Sequence, residues 1–199
     1  MTVRKWPDAM IDIETLSTRK NALILSIGVV LFDRATGEIG HKREWILDNH
    51  FVGGYHVCPR TQNWWDGQGI EAQDRIFKNP NKVEAKVALQ EVTDLLVQNT
   101  TGTQRNGCRI WGNGPTFDLT IMDNAYRTEG LSGQPWTYGN ERDVRTMVDL
   151  GRQFFDFDPK TEMPFEGVKH SASDDAEHQA KYVSAIYRKI SGEILKCKI

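Results

Sequence analysis

Asp12 and Glu14 stand two apart in Ala9-Met10-Ile11-Asp12-Ile13-Glu14-Thr15. In an extended segment alternate side chains share a face. Both carboxylates therefore point one way, and Ile11 and Ile13 point the other way, towards a core. Two acids side by side on a strand repel and are costly to cover unless positive charge lies between them, and a divalent cation supplies it. The ordinary alternative is a solvated pair on the outer face of an antiparallel sheet. Asp118 follows Arg109-Ile110-Trp111 and the loop Gly112-Asn113-Gly114-Pro115. It falls in the first turn of an expected helix, where an acid is also an ordinary partner of the helix dipole. The last cluster is His170-Ser171-Ala172-Ser173-Asp174-Asp175-Ala176, opening a stripe of Ala172, Ala176, Val183, Ile190 and Ile194 at helical spacing. At about 100° per residue, Asp175 falls roughly 80° from the centre of that stripe and Asp174 roughly 180° away. Asp175 is thus expected to reach the sheet and Asp174 to face water. His170 lies just before this helix. Its side chain titrates near neutral pH and suits a general base, although loop histidines are more often plain surface residues.

These groups need elements to hold them. Apolar patterning predicts strands at Ala9–Ile13 and Ala22–Phe32, a turn at 33–38, and a third strand at Ile39–Leu47 that forms a hairpin with the second. Residues 48–80 read as irregular, with short helices near Thr61–Asp66 and Gly69–Phe77. A helix over Asn81–Gln98 follows from Val83, Val87, Val92, Leu95 and Leu96, with Asn81 as N-cap. Then come a short strand at Arg109–Trp111, a helix from Pro115 or Thr116 to about Arg127, a strand at Trp136–Tyr138, and helices over Asp143–Phe155 and Ser171 to about Lys196. The order predicts an α/β fold: a mixed sheet with helices packed on it, in one domain over residues 1–199.

Composition agrees and excludes several classes. The chain has 199 residues, 39% of them hydrophobic, with six Trp and eight Phe, ample for a packed core. No apolar run is long enough to span a bilayer, and Met1–Met10, with Pro7 and Asp8, does not resemble a secretion signal. A cytoplasmic location is expected. Three widely spaced cysteines, Cys58, Cys108 and Cys197, do not make a disulfide framework. His50, His56 and Cys58 are close in sequence but lack a fourth ligand, so a structural zinc is not expected. The net charge of −2 lacks the basic surplus common in nucleic-acid binders, yet setting aside four ligand acids leaves +2.

Three segments taken together resemble a known group: Asp12-Ile13-Glu14-Thr15, then Asp118 after Gly112-Asn113-Gly114-Pro115-Thr116-Phe117, then His170-x-Ala172-x-x-Asp175. They are similar to the exonuclease motifs of the DEDDh superfamily, which includes ribonuclease T, oligoribonuclease and polymerase proofreading subunits. Trp64-Trp65, Trp111-Gly112-Asn113-Gly114, Arg142-Asp143-Val144-Arg145-Thr146 and Pro164-Phe165-Glu166-Gly167 resemble a phage and prophage branch labelled exodeoxyribonuclease VIII-like, itself similar to a mycobacterial-type exoribonuclease group. The resemblance runs from about Pro7 to Lys189. It implies a ribonuclease H-like fold, with a five-stranded mixed sheet and helices on both faces. It implies a metal-dependent 3'-5' exonuclease that releases nucleoside 5'-monophosphates from RNA or single-stranded DNA. Asp12, Glu14, Asp118 and Asp175 would hold two Mg²⁺ or Mn²⁺ ions, and His170 would be the general base. Thr15 and Leu16 would meet the terminal nucleotide through a backbone amide and apolar contact. Phe117, Trp64 and Trp65 would stack on bases, and Arg142 and Arg145 would bind phosphate. For the tryptophans the plain alternative is that at least one is simply core; for the arginines it is a solvated helix face with Asp143 as N-cap. No membrane partner is expected, and related enzymes leave a homodimer open. The alternatives are a ribonuclease H-like endonuclease and an inactive nucleic-acid-binding adaptor.

Overall fold

A computed structural model describes residues 4–48 and 53–196, with side chains described up to residue 192. Strands β1 (Asp8–Thr15), β2 (Ile24–Asp33) and β3 (Glu38–Ile46) form an antiparallel meander. On the other side of β1, strands β4 (Arg109–Gly112) and β5 (Glu141–Asp143) run parallel to it, giving the order β3-β2-β1-β4-β5. Helices α1 (Pro59–Asp66), α2 (Ile70–Phe77) and α3 (Ala85–Asn99) precede β4. Helix α4 (Asp118–Thr128) precedes β5, and α5 (Val144–Phe155), α6 (Pro159–Glu162) and α7 (Ala172–Lys196) close the chain.

Alternation along β1 divides the interior. Ala9, Ile11 and Ile13 join a core with Leu89, Val92 and Leu96 of α3 and Leu119, Met122 and Ala125 of α4. Met10 points the other way, packing with Val144 and Val148 of α5 and Ala176, Ala180 and Val183 of α7. Helices therefore cover both faces, which is why β2 is apolar on both sides, broken only by the buried Ser26 and by Gly28 before its terminal Asp33. A third cluster seats Trp65, Ala72 and Ile76 of α1 and α2 against Leu16 and Leu25.

The structure departs from the sequence reading in four places. The expected strand at Trp136–Tyr138 is absent. Trp136 is a core residue whose ring meets Tyr126 edge-on, Tyr138–Asn140 is a single 3-10 turn, and β5 is Glu141–Asp143. Pairing with β4 makes that polar run a strand, overriding its weak intrinsic preference. Helix α3 starts at Ala85, not Asn81, because Val83 is bridged to Leu47 in extended form and Glu84 occupies the cap position. Helix α4 starts at Asp118, because Gly114 takes φ +105 and the chain turns there, with Phe117 N–H donating to Gly114 O at 2.7 Å. The short α6 was not expected. Asp143 does cap α5, accepting from Arg145 N and Thr146 N. Cys58 and Cys108 are free thiols, whereas Cys197 and His50 lie outside the described residues. No helix among the described residues is long and apolar enough to cross a membrane.

Candidate metal centre

Asp12 and Glu14 project from the second half of β1, on the Met10 face. The register sets Asp12 opposite Gly28 of β2, and Gly28 opposite Glu44 of β3, so one row across the sheet reads acid, glycine, acid. A Cβ on Gly28 would stand 2.1 Å from the carbonyl carbon of Ala172 and 2.4 Å from the amide nitrogen of Ser173. No side chain fits, because the first turn of α7 lies directly on β2 at this point. That contact carries Asp175 to the acids of β1. Asp118 arrives from the opposite side as the first residue of α4. It is only 3% exposed, and its carboxylate lies over Gly112 at the end of β4.

His170 is fixed by the same helix start. Its φ of +63° lies in the left-handed region that non-glycine residues rarely enter. Its N–H donates to Asp175 Oδ2 at 2.9 Å, while Val168 N–H donates to Asp174 Oδ2 at 2.8 Å. The two acids of the first turn thus accept amides of the preceding loop and fold it back over the helix. His170 Nδ1 comes to 3.7 Å from Glu14 Oε1, and ligand atoms of Glu14, His170 and Asp175 all lie within 4.8 Å of one another.

Burial and mutual repulsion set the electrostatics. Asp12 is pushed well above the usual carboxylate range, first by burial and then by the charges of Asp118, Glu14 and Asp175. Burial raises Glu14 to about 6 against the pull of His170. Burial likewise raises Asp118 to about 7, against nearby backbone amides, and Asp175 to about 6, against the His170 amide. His170 is raised, chiefly by the Glu14 carboxylate beside its ring. Among the described residues no lysine or arginine pairs with any of these four acids. Carboxylates crowded this way cannot all stay ionised without a cation, and a cation entering would release their protons. An all-oxygen donor set of this kind suits hard divalent ions.

Several expected residues sit differently from the sequence reading. Asp174 does not face water: its side chain is 14% exposed, holding Val168 N–H and lying 2.5 Å from Lys42 Nζ. A helical wheel treats the helix as a bare cylinder, whereas here a loop and β3 cover its first turn. Trp65 does not offer a ring to a base. It is 1% exposed, and its indole N–H donates to Thr15 O at 3.0 Å, holding α1 against the end of β1. Trp64 keeps 45% of its surface exposed and meets the His170 ring edge-on at 5.0 Å. The Leu16 amide donates to Leu23 O, and the buried Thr15 hydroxyl donates to Ser17 O. Phe117 precedes α4 and packs, partly buried, against the core on the Ile11 face of the sheet. Arg142 donates to the carbonyls of Gly139 and Glu141, while Arg145 is exposed and packs over Gly114.

Sequence reasoning missed Gly28, Gln179, Glu44 and Arg75. A lone glycine inside an apolar strand is a recognisable sign of close backbone approach. Gln179 stands four residues after Asp175 on the same helix face and donates to Asp12 Oδ1 at 2.8 Å. Glu44 accepts from Arg75 of α2 at 2.8 Å, tying that helix to the sheet beside the acids. Its pairing carries no sequence signal.

The chain is 23% identical over 163 residues to an exodeoxyribonuclease of Enterobacteria phage T4, covering 71% of this chain and 70% of that protein. Its fold is similar to the nuclease domain of 3'hExo, a DEDDh family member bound to rAMP, with a TM-score of 0.61, 14% identity and 96% of each chain covered. It is also similar to S. pombe Pop2p in a form with Mg²⁺ and Mn²⁺ bound, with a TM-score of 0.56, 12% identity, and 93% of this chain and 82% of that one covered. The fold is thus that of the DEDDh exonucleases, and residues 7–187 match the family described as the 3'-5' exoribonuclease Rv2179c-like domain. The chain belongs to that family of 3'-5' exonucleases.

Proposed function

We propose that residues 1–199 form a single metal-dependent exonuclease unit that removes nucleoside 5'-monophosphates from the 3' end of RNA or single-stranded DNA. Asp12, Glu14, Asp118 and Asp175 hold two divalent cations, Mg²⁺ or Mn²⁺, and His170 is the general base. The observation that carries this reading is the convergence of largely covered acids from β1, α4 and α7 with no lysine or arginine among the described residues to balance them. When bound, two such ions would lower the pKa of water and offset charge developing on a phosphodiester. His170 takes the proton of the attacking water. With Nδ1 turned towards Glu14, Nε2 is the nitrogen left to accept it, and the Glu14 carboxylate stabilises the imidazolium that results. The strained backbone at His170, locked by Asp175, holds the imidazole at the site in advance of substrate.

At the rim, the exposed face of Trp64 beside His170 suits stacking on a terminal base without regard to sequence. Arg145, exposed above the Gly114 turn, suits a backbone phosphate. The family description favours RNA, and the phage relative's name favours DNA.

Matched RNA and DNA oligomers labelled at the 5' end test the reading. With Mg²⁺ or Mn²⁺ a ladder shortening from the 3' end is expected, none in EDTA, and a circular single strand should stay intact. Digestion in EDTA, or cutting of the circle, would contradict it. Light scattering under the same conditions distinguishes monomer from homodimer.

A further inference from the structure

Each acid of the site has a donor group beside it. Glu14 faces the His170 ring, Asp175 accepts the His170 N–H, and Asp118 feels the amides of Ile13 and Asn113. For Asp12 the donor is Gln179 Nε2, at 2.8 Å from Oδ1. Gln179 is 5% exposed, and its Oε1 is buried with no partner. As a metal ligand Asp12 must be ionised, and an ionised carboxylate only accepts, so in that state the amide nitrogen meets Asp12 and the oxygen turns elsewhere. A tie that merely fastened α7 to β1 gives no reason to leave that carbonyl oxygen unpaired in the interior, where such a group is costly.

We propose that Gln179 is a positioning residue of the metal centre. It clamps one oxygen of Asp12 so that the other is presented to a cation, and its Oε1 accepts a hydrogen bond from water that enters with the hydrated ion. Partners of this kind orient a ligand carboxylate and are typically worth about 10–100-fold in metal affinity. The inference rests on the reading that the four acids hold cations.

The test uses the full chain carrying Gln179→Met, which keeps length and approximate volume but removes both polar atoms. Mn²⁺ binding is measured by calorimetry and by the Mn²⁺ paramagnetic resonance signal for wild type, Gln179→Met and Asp175→Ala. Thermal unfolding in EDTA checks each fold, and Gln179→Leu replaces the methionine variant should that one not fold. Wild type is expected to bind Mn²⁺ and Asp175→Ala to lose it. Gln179→Met is expected to bind about 10-fold or more weakly, with a nuclease deficit that recovers at saturating Mn²⁺. Equal affinity in wild type and Gln179→Met overturns the role of Gln179 and leaves the metal reading intact, whether or not the melting temperature falls. A wild type that binds no Mn²⁺ overturns both.

Discussion

Asp8 and Asp12 lie on the same face of the same strand, about 13 Å apart at the usual rise per residue. Both are largely shut away from water, and burial pushes both carboxyls up. Their neighbours differ in sign. Asp8 meets the guanidinium of Arg34 and, at 2.9 Å, the indole N–H of Trp111, and Arg34 in turn lies over the Tyr187 ring. Asp12 meets three further acids and one amide. One end of β1 balances its charge within the chain, and at the other no lysine or arginine among the described residues does so. Burial of an acid therefore does not mark a functional site. What marks it is a buried acid whose neighbours make matters worse.

The two ends should respond oppositely to substitution. Asp12→Ala or Asp175→Ala should reduce turnover to background while the metal-free protein stays folded, read by initial rate and by thermal unfolding in EDTA. Asp8→Ala should do the reverse. Stranding the Arg34 charge costs about 3–5 kcal/mol of stability, with the rate per folded molecule unchanged. Similar losses of stability at both positions would erase the distinction.

His170→Ala should lower the rate by about 10²–10⁴-fold, the usual worth of a general base, and spare Mn²⁺ binding. An unchanged rate would remove His170 from its role. The adjacent tryptophans should part in the same manner. Trp65→Ala should cost about 3–5 kcal/mol of stability. Trp64→Ala should leave stability alone and cost about 1–3 kcal/mol in single-strand binding.

The smallest effect is on pH. In the metal-free fold Glu14 and Asp175 titrate at about 6 and Asp118 at about 7, against roughly 4 in an unfolded chain. The fold then binds more protons than the unfolded chain across that window, so stability falls as pH rises through it. His170, also raised, acts in the same direction. Glu38, lowered to about 2 by Arg4, acts below that window and with the opposite sign. The metal-free melting temperature should drop by several degrees between about pH 5 and pH 8, and Mn²⁺ should remove the drop. A flat metal-free profile would contradict the crowding of charge at the site.

The parts of this site that follow from short-range pattern were legible in the sequence. Alternation placed Asp12 and Glu14 opposite Ile11 and Ile13, and helical phase chose Asp175 over Asp174 for the sheet. Only Asp175, and not Asp174, lies with Glu14 and His170. The parts that depend on long-range packing were not legible. Nothing in Glu141-Arg142-Asp143 says that β4 will take it as a strand, and nothing in Trp64-Trp65 says which ring goes inside. The covering of Asp174 by Lys42 spans 132 residues of sequence. Gly28, a lone glycine inside an apolar strand, is the legible sign of the close approach of α7.

The most direct measurement is anomalous diffraction from crystals of the protein grown with Mn²⁺. Peaks are expected among Asp12, Glu14, Asp118 and Asp175, with none at Asp8. Density at the Mn²⁺ edge that is absent there, or lies elsewhere in the molecule, would contradict the assignment of this cluster as the metal centre of the exonuclease.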